Sequence, residues 1–303
     1  METPTALGEF LRNRRAQLRP EDVGLNPSVN RRRVPGLRRE ELAMLAGVSV
    51  TYYTRLEQGQ STNASDGVLD ALAQALRLNR DEHAHLRNLA RPERAKRVPA
   101  VRPERVRAAT RHLINAMTRV PAVVLDRRND VLAWNPLGHA LLAGHLAPDS
   151  PDLPAERPNL TRLLFLDPHT RELYMYWDEE ARVALAALRL VVGRHPEDQR
   201  LAQLVGQLTI QSPTFAALWS RHPVRNCTVG SKSFHHPLVG AMELNFESMR
   251  LSDESGHRTM LYSAEPGSAS AAALDLLADT VAASRLDALR TAPHLAAPAP
   301  DRR

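Results

Sequence analysis

Residues 38–59 read Arg-Arg-Glu-Glu-Leu-Ala-Met-Leu-Ala-Gly-Val-Ser-Val-Thr-Tyr-Tyr-Thr-Arg-Leu-Glu-Gln-Gly, and this run constrains the fold more than any other. Leu42, Ala43 and Leu45 mark the apolar side of a first helix from about Arg38 to Ala46. Gly47 stands where the chain must turn left-handed, which glycine does without steric cost. Ser49 then offers a hydroxyl to cap a second helix from about Val50 to Gln58, which Gly59 stops. Val50, Tyr53 and Leu56 recur at i, i+3 and i+6 and should face the first helix. That leaves Thr51, Tyr52, Thr54 and Arg55 pointing outward, and gives Glu57 to an arginine of the first helix, Arg38 or Arg39. A Gly-Val-Ser turn alone suits any helical hairpin. The ordered set Glu-Leu-Ala, Ala-Gly-Val-Ser and Leu-Glu-Gln-Gly suits a second helix presented to the major groove of DNA.

The flanks agree. Leu7, Phe10, Leu11 and Leu18 give an earlier helix one apolar stripe, with Arg12, Arg14, Arg15 and Arg19 on its other faces. Ser65 or Asp66 caps a fourth helix carrying Val68, Leu69, Leu72, Ala73 and Leu76, and Asp81 opens a fifth with Leu86 and Leu89. This layout is similar to the lambda-repressor-like domain, and the region resembles the XRE family of regulators. The wording from Gly47 to Gly59 resembles the MmyB-like branch, which also carries an arginine-rich insertion between its first two helices; here that is Arg19 to Gly36. The resemblance implies a transcriptional regulator that binds double-stranded DNA as a homodimer. The expected contacts are Ser49, Thr51, Tyr52, Thr54 and Arg55 from the second helix, Arg38, Arg39 and Gln58 at phosphates, and an arm of Arg31, Arg32 and Arg33.

Charge is uneven. Residues 1–98 hold 17 Lys and Arg against 12 Asp and Glu, so most of the formal +6 sits beside the helix pair. Binding to phosphates should therefore weaken with salt. A single cysteine, Cys227, permits no intrachain disulfide and fits a reducing cytoplasm. No apolar run approaches the roughly 20 residues that cross a bilayer, and the first residues lack a signal-peptide pattern, so no membrane partner is expected.

Arg91 to Pro103 contains three prolines and five Lys or Arg and reads as a linker. The expected division is a DNA-binding domain at 1–90, a linker at 91–104, a second domain at 105–292 and a disordered tail at 293–303. In the second domain a helix over Val106–Met117 turns Val106, Ala109, Leu113 and Met117 to one side. Strands follow at Pro121–Asp126 and Val131–Trp134, then a helix from Pro136. Amphipathic helices cover Glu179–Val192, Glu197–Leu208 and Ser212–Trp219. Strands return at Cys227–His236, Leu238–Ser248 and His257–Ala264, with a hairpin turn at Asp253–Gly256, and a last helix spans Ser270–Leu289. The fold class is therefore α+β: an all-α domain, then a PAS-like domain with an antiparallel sheet.

This half also resembles the MmyB-like family, through Pro121-Ala-Val-Val-Leu-Asp, Val131-Leu-Ala-Trp-Asn-Pro136, Asn159-Leu-Thr-Arg-Leu-Leu-Phe-Leu-Asp167, Ser212-Pro-Thr-Phe, His236-Pro-Leu-Val-Gly240 and Tyr262-Ser-Ala-Glu-Pro-Gly267. The resemblance implies a sensor of a small apolar, fatty-acid-like ligand. The family's basic stretch before His236 is nearly neutral here, which leaves any contact made by it in doubt. Candidate pocket residues are Trp134, Leu164, Phe165, Trp219, Met242, Leu244, Phe246, Leu261 and Tyr262; each also reads as ordinary core. The alternative is a dimerisation or protein-interaction module with a filled core. The histidines are scattered, His236-Pro237 reads as a strand break, and no nucleophile elbow, P-loop or dinucleotide fingerprint occurs, so neither enzyme nor cofactor is expected.

Overall fold

The computed structural model describes residues 5–25, 36–60, 64–90, 104–221, 228–251 and 256–291. The Arg31–Arg33 arm, nearly all of the proline-rich linker, Cys227, most of the 253–256 turn and the tail lie outside them. The described helices are α1 (Ala6–Gln17), α2 (Arg39–Leu45), α3 (Val50–Glu57), α4 (Asp66–Ala75), α5 (Arg80–Ala90), α6 (Ala108–Ala116) and α7 (Pro136–Ala143). They continue as α8 (Leu160–Leu166), α9 (Pro168–Leu173), α10 (Trp177–Arg194), α11 (Gln199–Gln211), α12 (Pro213–Trp219) and α13 (Ala269–Thr291). The strands are β1 (Ala122–Leu125), β2 (Val131–Trp134), β3 (Val229–His236), β4 (Gly240–Arg250) and β5 (Arg258–Ser263).

The molecule is α+β, and its described residues form two compact units. The first gathers α1–α5 with α8, α10, α11 and α12. Its core joins Leu7, Phe10 and Leu11 of α1, Leu42 of α2, Tyr53 and Leu56 of α3 and Leu69 and Leu72 of α4. Leu190, more than a hundred residues further on, completes the same core. Capping follows sequence rules. Ser65 Oγ accepts from the Val68 N–H at 3.4 Å, and Asn79 and Glu82 exchange two bonds of 2.9 Å at the start of α5, so Asn79 rather than Asp81 opens that helix.

The second unit holds the sheet, in the order β2-β1-β5-β4-β3 with every neighbour antiparallel. The two strands read before the helical stretch thus pair with the three read after it, through β1 and β5. Asn135 is the hub of this joint. Its Oδ1 accepts from the Ala122 N–H at 3.0 Å and the Gly138 N–H at 2.7 Å. Its amide donates to the carbonyls of Ile114, Met117 and Val120 at 3.1, 2.8 and 2.7 Å. Gly138 is needed here: a β-carbon would lie 2.4 Å from the Ala122 carbonyl oxygen, so only glycine lets α7 approach β1. On α6 the inward residue is Ile114, whereas Leu113, expected inward, is 60% exposed. Neighbours in a helix stand about 100° apart, and the sheet took the side bearing Ile114.

Candidate nucleic-acid interface and ligand cleft

The helix pair forms as the local sequence dictates. Gly47 takes φ +64° between α2 and α3, and Ser49 Oγ accepts from the Tyr52 N–H at 3.1 Å. Tyr53 and Leu56 are sealed in the core. Val50, expected beside them, is the first residue of α3 and is 40% exposed. Thr51, Arg55 and Gln58 are exposed along α3, Tyr52 and Thr54 are half-buried, and Ser49 is exposed at its cap. Thr51, Arg55 and Gln58 make the polar, solvent-facing side of α3, while Tyr52 lies partly against the core.

A buried ion-pair knot fixes how that side is turned. Glu57, with no exposed side-chain surface, accepts at Oε1 from Arg15 Nε at 2.7 Å and Tyr53 Oη at 2.6 Å. Its Oε2 accepts from Arg39 Nε at 2.7 Å and Arg15 Nη2 at 3.3 Å. Arg15 Nη1 also donates to the Leu37 carbonyl at 2.6 Å, so one guanidinium holds α1, the approach to α2 and α3 together. Burial alone would raise the Glu57 pKa; the bonds from Arg15, Tyr53 and Arg39 outweigh it and hold the carboxyl below its usual range. Burial and the Glu57 charge raise the Tyr53 hydroxyl, which stays a donor. The sequence reading offered Arg38 or Arg39 for Glu57. Arg39 is a partner; the Arg38 N–H instead donates to Glu41 at 2.7 Å, and Arg15 was missed. Arg38 and Arg39 both keep solvent access, and the Arg39 side chain stays 41% exposed beyond its bond.

Behind these helices α10 packs on α5. A β-carbon on Gly193 would lie 2.5 Å from His85 Cε1, and the His85 ring in turn meets Phe10 edge-on at 5.2 Å. Three of the proposed pocket residues fall in this unit. Phe165 meets Trp177 at 5.8 Å and Phe215 at 5.0 Å, and Phe215 stacks on Trp219 at 5.5 Å. Leu164, also buried, accepts from the Trp177 indole at 2.8 Å through its carbonyl. The Arg189 guanidinium lies 3.8 Å from the Trp219 ring centroid and donates to the Trp219 carbonyl. Burial pulls its pKa down to about 10. Arg189 is not marked by the sequence for this cluster, because nothing local marks an arginine as buried.

The other six pocket candidates fall in the sheet unit. An open cleft of about 500 Å³ is lined by Val120, Phe246, Leu261 and Tyr262, with Glu247 and Ser263 at its polar edge. Met242, Leu244 and Phe246 alternate inward on β4, as period two requires, but Met242 and Leu244 are buried and do not line the cleft. Trp134 donates from its indole to the Pro148 carbonyl at 2.7 Å and packs on His139 at 4.8 Å, a core position. His236 ends β3 with Nε2 3.0 Å from the Ala140 carbonyl, and burial lowers its pKa. Among the described residues no cluster of His, Cys, Asp or Glu has the makings of a metal site. No helix among them is long and apolar enough to cross a membrane.

No curated protein matches the chain. Residues 6–86 match a helix-turn-helix domain family, which covers the helix pair and the knot that orients it. Residues 106–277 match the family described as the MmyB-like transcription regulator ligand binding domain, more than half of the chain. Both are families of regulator domains rather than enzymes. The chain therefore belongs to the MmyB-like transcription regulators: a DNA-binding protein with a ligand-binding domain.

Proposed function

We propose that this regulator reads a specific operator as a homodimer in the cytoplasm and that a small apolar molecule, of fatty-acid type, tunes that reading. The observation that carries the DNA half is the exposed side of α3, turned outward by the Glu57 knot. Thr51, Tyr52 and Arg55 contact base edges, Arg55 as a bidentate donor to guanine; Ser49 and Thr54 support them. Arg38, Arg39, Gln58 and the Arg31–Arg33 arm contact phosphates. The test uses a duplex selected from a random pool by the full-length protein. Arg55→Ala should cost about 1–3 kcal/mol on that duplex and less on unrelated DNA. Equal affinity for the selected duplex would remove Arg55 from the interface. Sedimentation of the protein alone and on the duplex reads the dimer.

For the ligand, the supporting observation is the cleft bounded by Phe246, Leu261 and Tyr262. Denaturing extraction of the purified protein followed by mass spectrometry should release an apolar small molecule. A clean polypeptide, with no thermal shift across a fatty-acid panel, would favour a protein-interaction module in its place.

A further inference from the structure

The second unit gathers two carboxyl groups on one guanidinium, that of Arg128. Asp126 begins the β1–β2 turn, and its Oδ1 accepts from the backbone N–H groups of Arg128 at 2.7 Å and Asp130 at 2.8 Å. Its Oδ2 is buried without an aligned donor, although Arg128 Nε lies 3.0 Å away. Glu104, the first described residue after the linker, is placed alike. Its Oε1 accepts from Arg128 Nη2 at 2.8 Å, while Oε2 is buried with His257 Nε2 at 3.6 Å, beyond a good hydrogen bond. The Nε and Nη2 groups of the one Arg128 guanidinium thus face both carboxyl groups, Asp126 Oδ2 at 3.0 Å and Glu104 Oε1 at 2.8 Å. Two carboxyl groups gathered on one guanidinium, each with a buried oxygen that no donor meets, favour holding one proton between them.

The surrounding charges do not remove that preference. Asp130 adds a third carboxylate, with Oδ2 3.8 Å from Arg128 Nε. Arg258 Nη1 donates to the Asp126 carbonyl oxygen at 3.0 Å and Nη2 to Asn129 Oδ1, so its bonds are to neutral oxygens, and Arg250 on β4 lies near it with like charge. Arg128 is left between Glu104, Asp126 and Asp130.

We infer that Asp126 and Glu104 share one proton, and that this proton closes a pH-sensitive clasp between the start of the sheet unit and its β1–β2 turn. Burial above all, then the Asp130 charge, pushes Asp126 up to about 7. Glu104 goes to about 2: burial opposes this, and His257 and Arg128 overcome it. The folded carboxyl of Asp126 thus binds its proton more tightly than the unfolded one. Its contribution to stability is complete below the ordinary value of 3.8 and is lost as pH rises through about 7. The proton then passes to solvent, and two like charges face each other across the clasp.

The variant Asp126→Asn keeps the Oδ1 acceptor and replaces the shared proton with a permanent amide N–H. Thermal melting of the full-length wild type and D126N is compared between pH 5 and pH 8.5. D126N should melt roughly 5 °C above the wild type at the alkaline end, the gap closing toward pH 5. Parallel curves, or a D126N protein weaker throughout, overturn the clasp. A second reading needs no variant. Infrared spectra of wild type with carbonyl-labelled aspartate should show a protonated carboxyl at pH 6 that vanishes by pH 8.5, and its absence at pH 6 equally overturns the proposal.

Discussion

Glu57 and Asp126 are both acidic side chains sealed from water, one in each unit, and they settle the cost of burial in opposite ways. Glu57 is met by four donated hydrogen bonds, from Arg15, Arg39 and Tyr53, and stays ionised. Asp126 spends one oxygen on a turn and sets the other beside a second carboxylate, and burial favours its neutral form. Burial by itself therefore does not decide whether a carboxyl is charged; the count and charge of the donors around it do.

The isosteric amide swap breaks this comparison most sharply. Glu57→Gln should lower the stability of the helical unit by about 3–5 kcal/mol, because Arg15 and Arg39 lose their counter-charge. The same kind of swap at Asp126 has the opposite sign at alkaline pH. Acid separates the two as well. The Glu57 contribution is present above its ordinary value of 4.5 and disappears as pH falls through its lower folded value. Residue-resolved hydrogen exchange at pH 3 should therefore open α1–α3 in wild type; if those helices keep full protection there, the knot is not what holds them. Next in size, Gly193→Val forces side-chain atoms into His85 and should cost about 1–3 kcal/mol, read by denaturant melts as a lower midpoint at unchanged slope. A midpoint equal to wild type would mean that α10 shifts freely. The smallest effect belongs to the surface pair of Arg87 and Asp70, 2.6 Å apart but both about half exposed. Arg87→Ala should leave the melting temperature within error, and a clear drop would show that solvent-exposed pairs matter here more than their setting suggests.

Much of this was legible in the sequence. Gly47, Ser49 and Gly59 fix the turn, the cap and the stop of the helix pair by local rules, and all three act as those rules require. Alternation of Met242, Leu244 and Phe246 gave the buried face of β4. What local patterns do not carry is the identity of distant partners. Arg15 reads as one of several surface arginines of α1, yet it reaches Glu57 across 42 residues. Leu113 and Ile114 are equally apolar, and only the sheet decides between them. At the candidate site, periodicity places Thr51 and Arg55 on the exposed side of α3, as observed, whereas Tyr52 and Thr54 are half-buried and the pocket residues divide between the two units. Leu164, Phe165 and Trp219 pack in the helical unit, and Phe246, Leu261 and Tyr262 line a cleft in the other. Apolar residues look alike in a sequence whether they fill a core or border a void.

Leu190 carries a last consequence. It lies within the stretch matched by the ligand-binding family, yet it fills the core that holds Tyr53 and Leu56 of α3. The helix-turn-helix unit is therefore assembled from distant lengths of the chain, and a fragment ending before residue 103 would be a vessel missing one stave. Grafting the first 90 residues onto another sensor would carry α3 without Leu190, one of the residues that close its core.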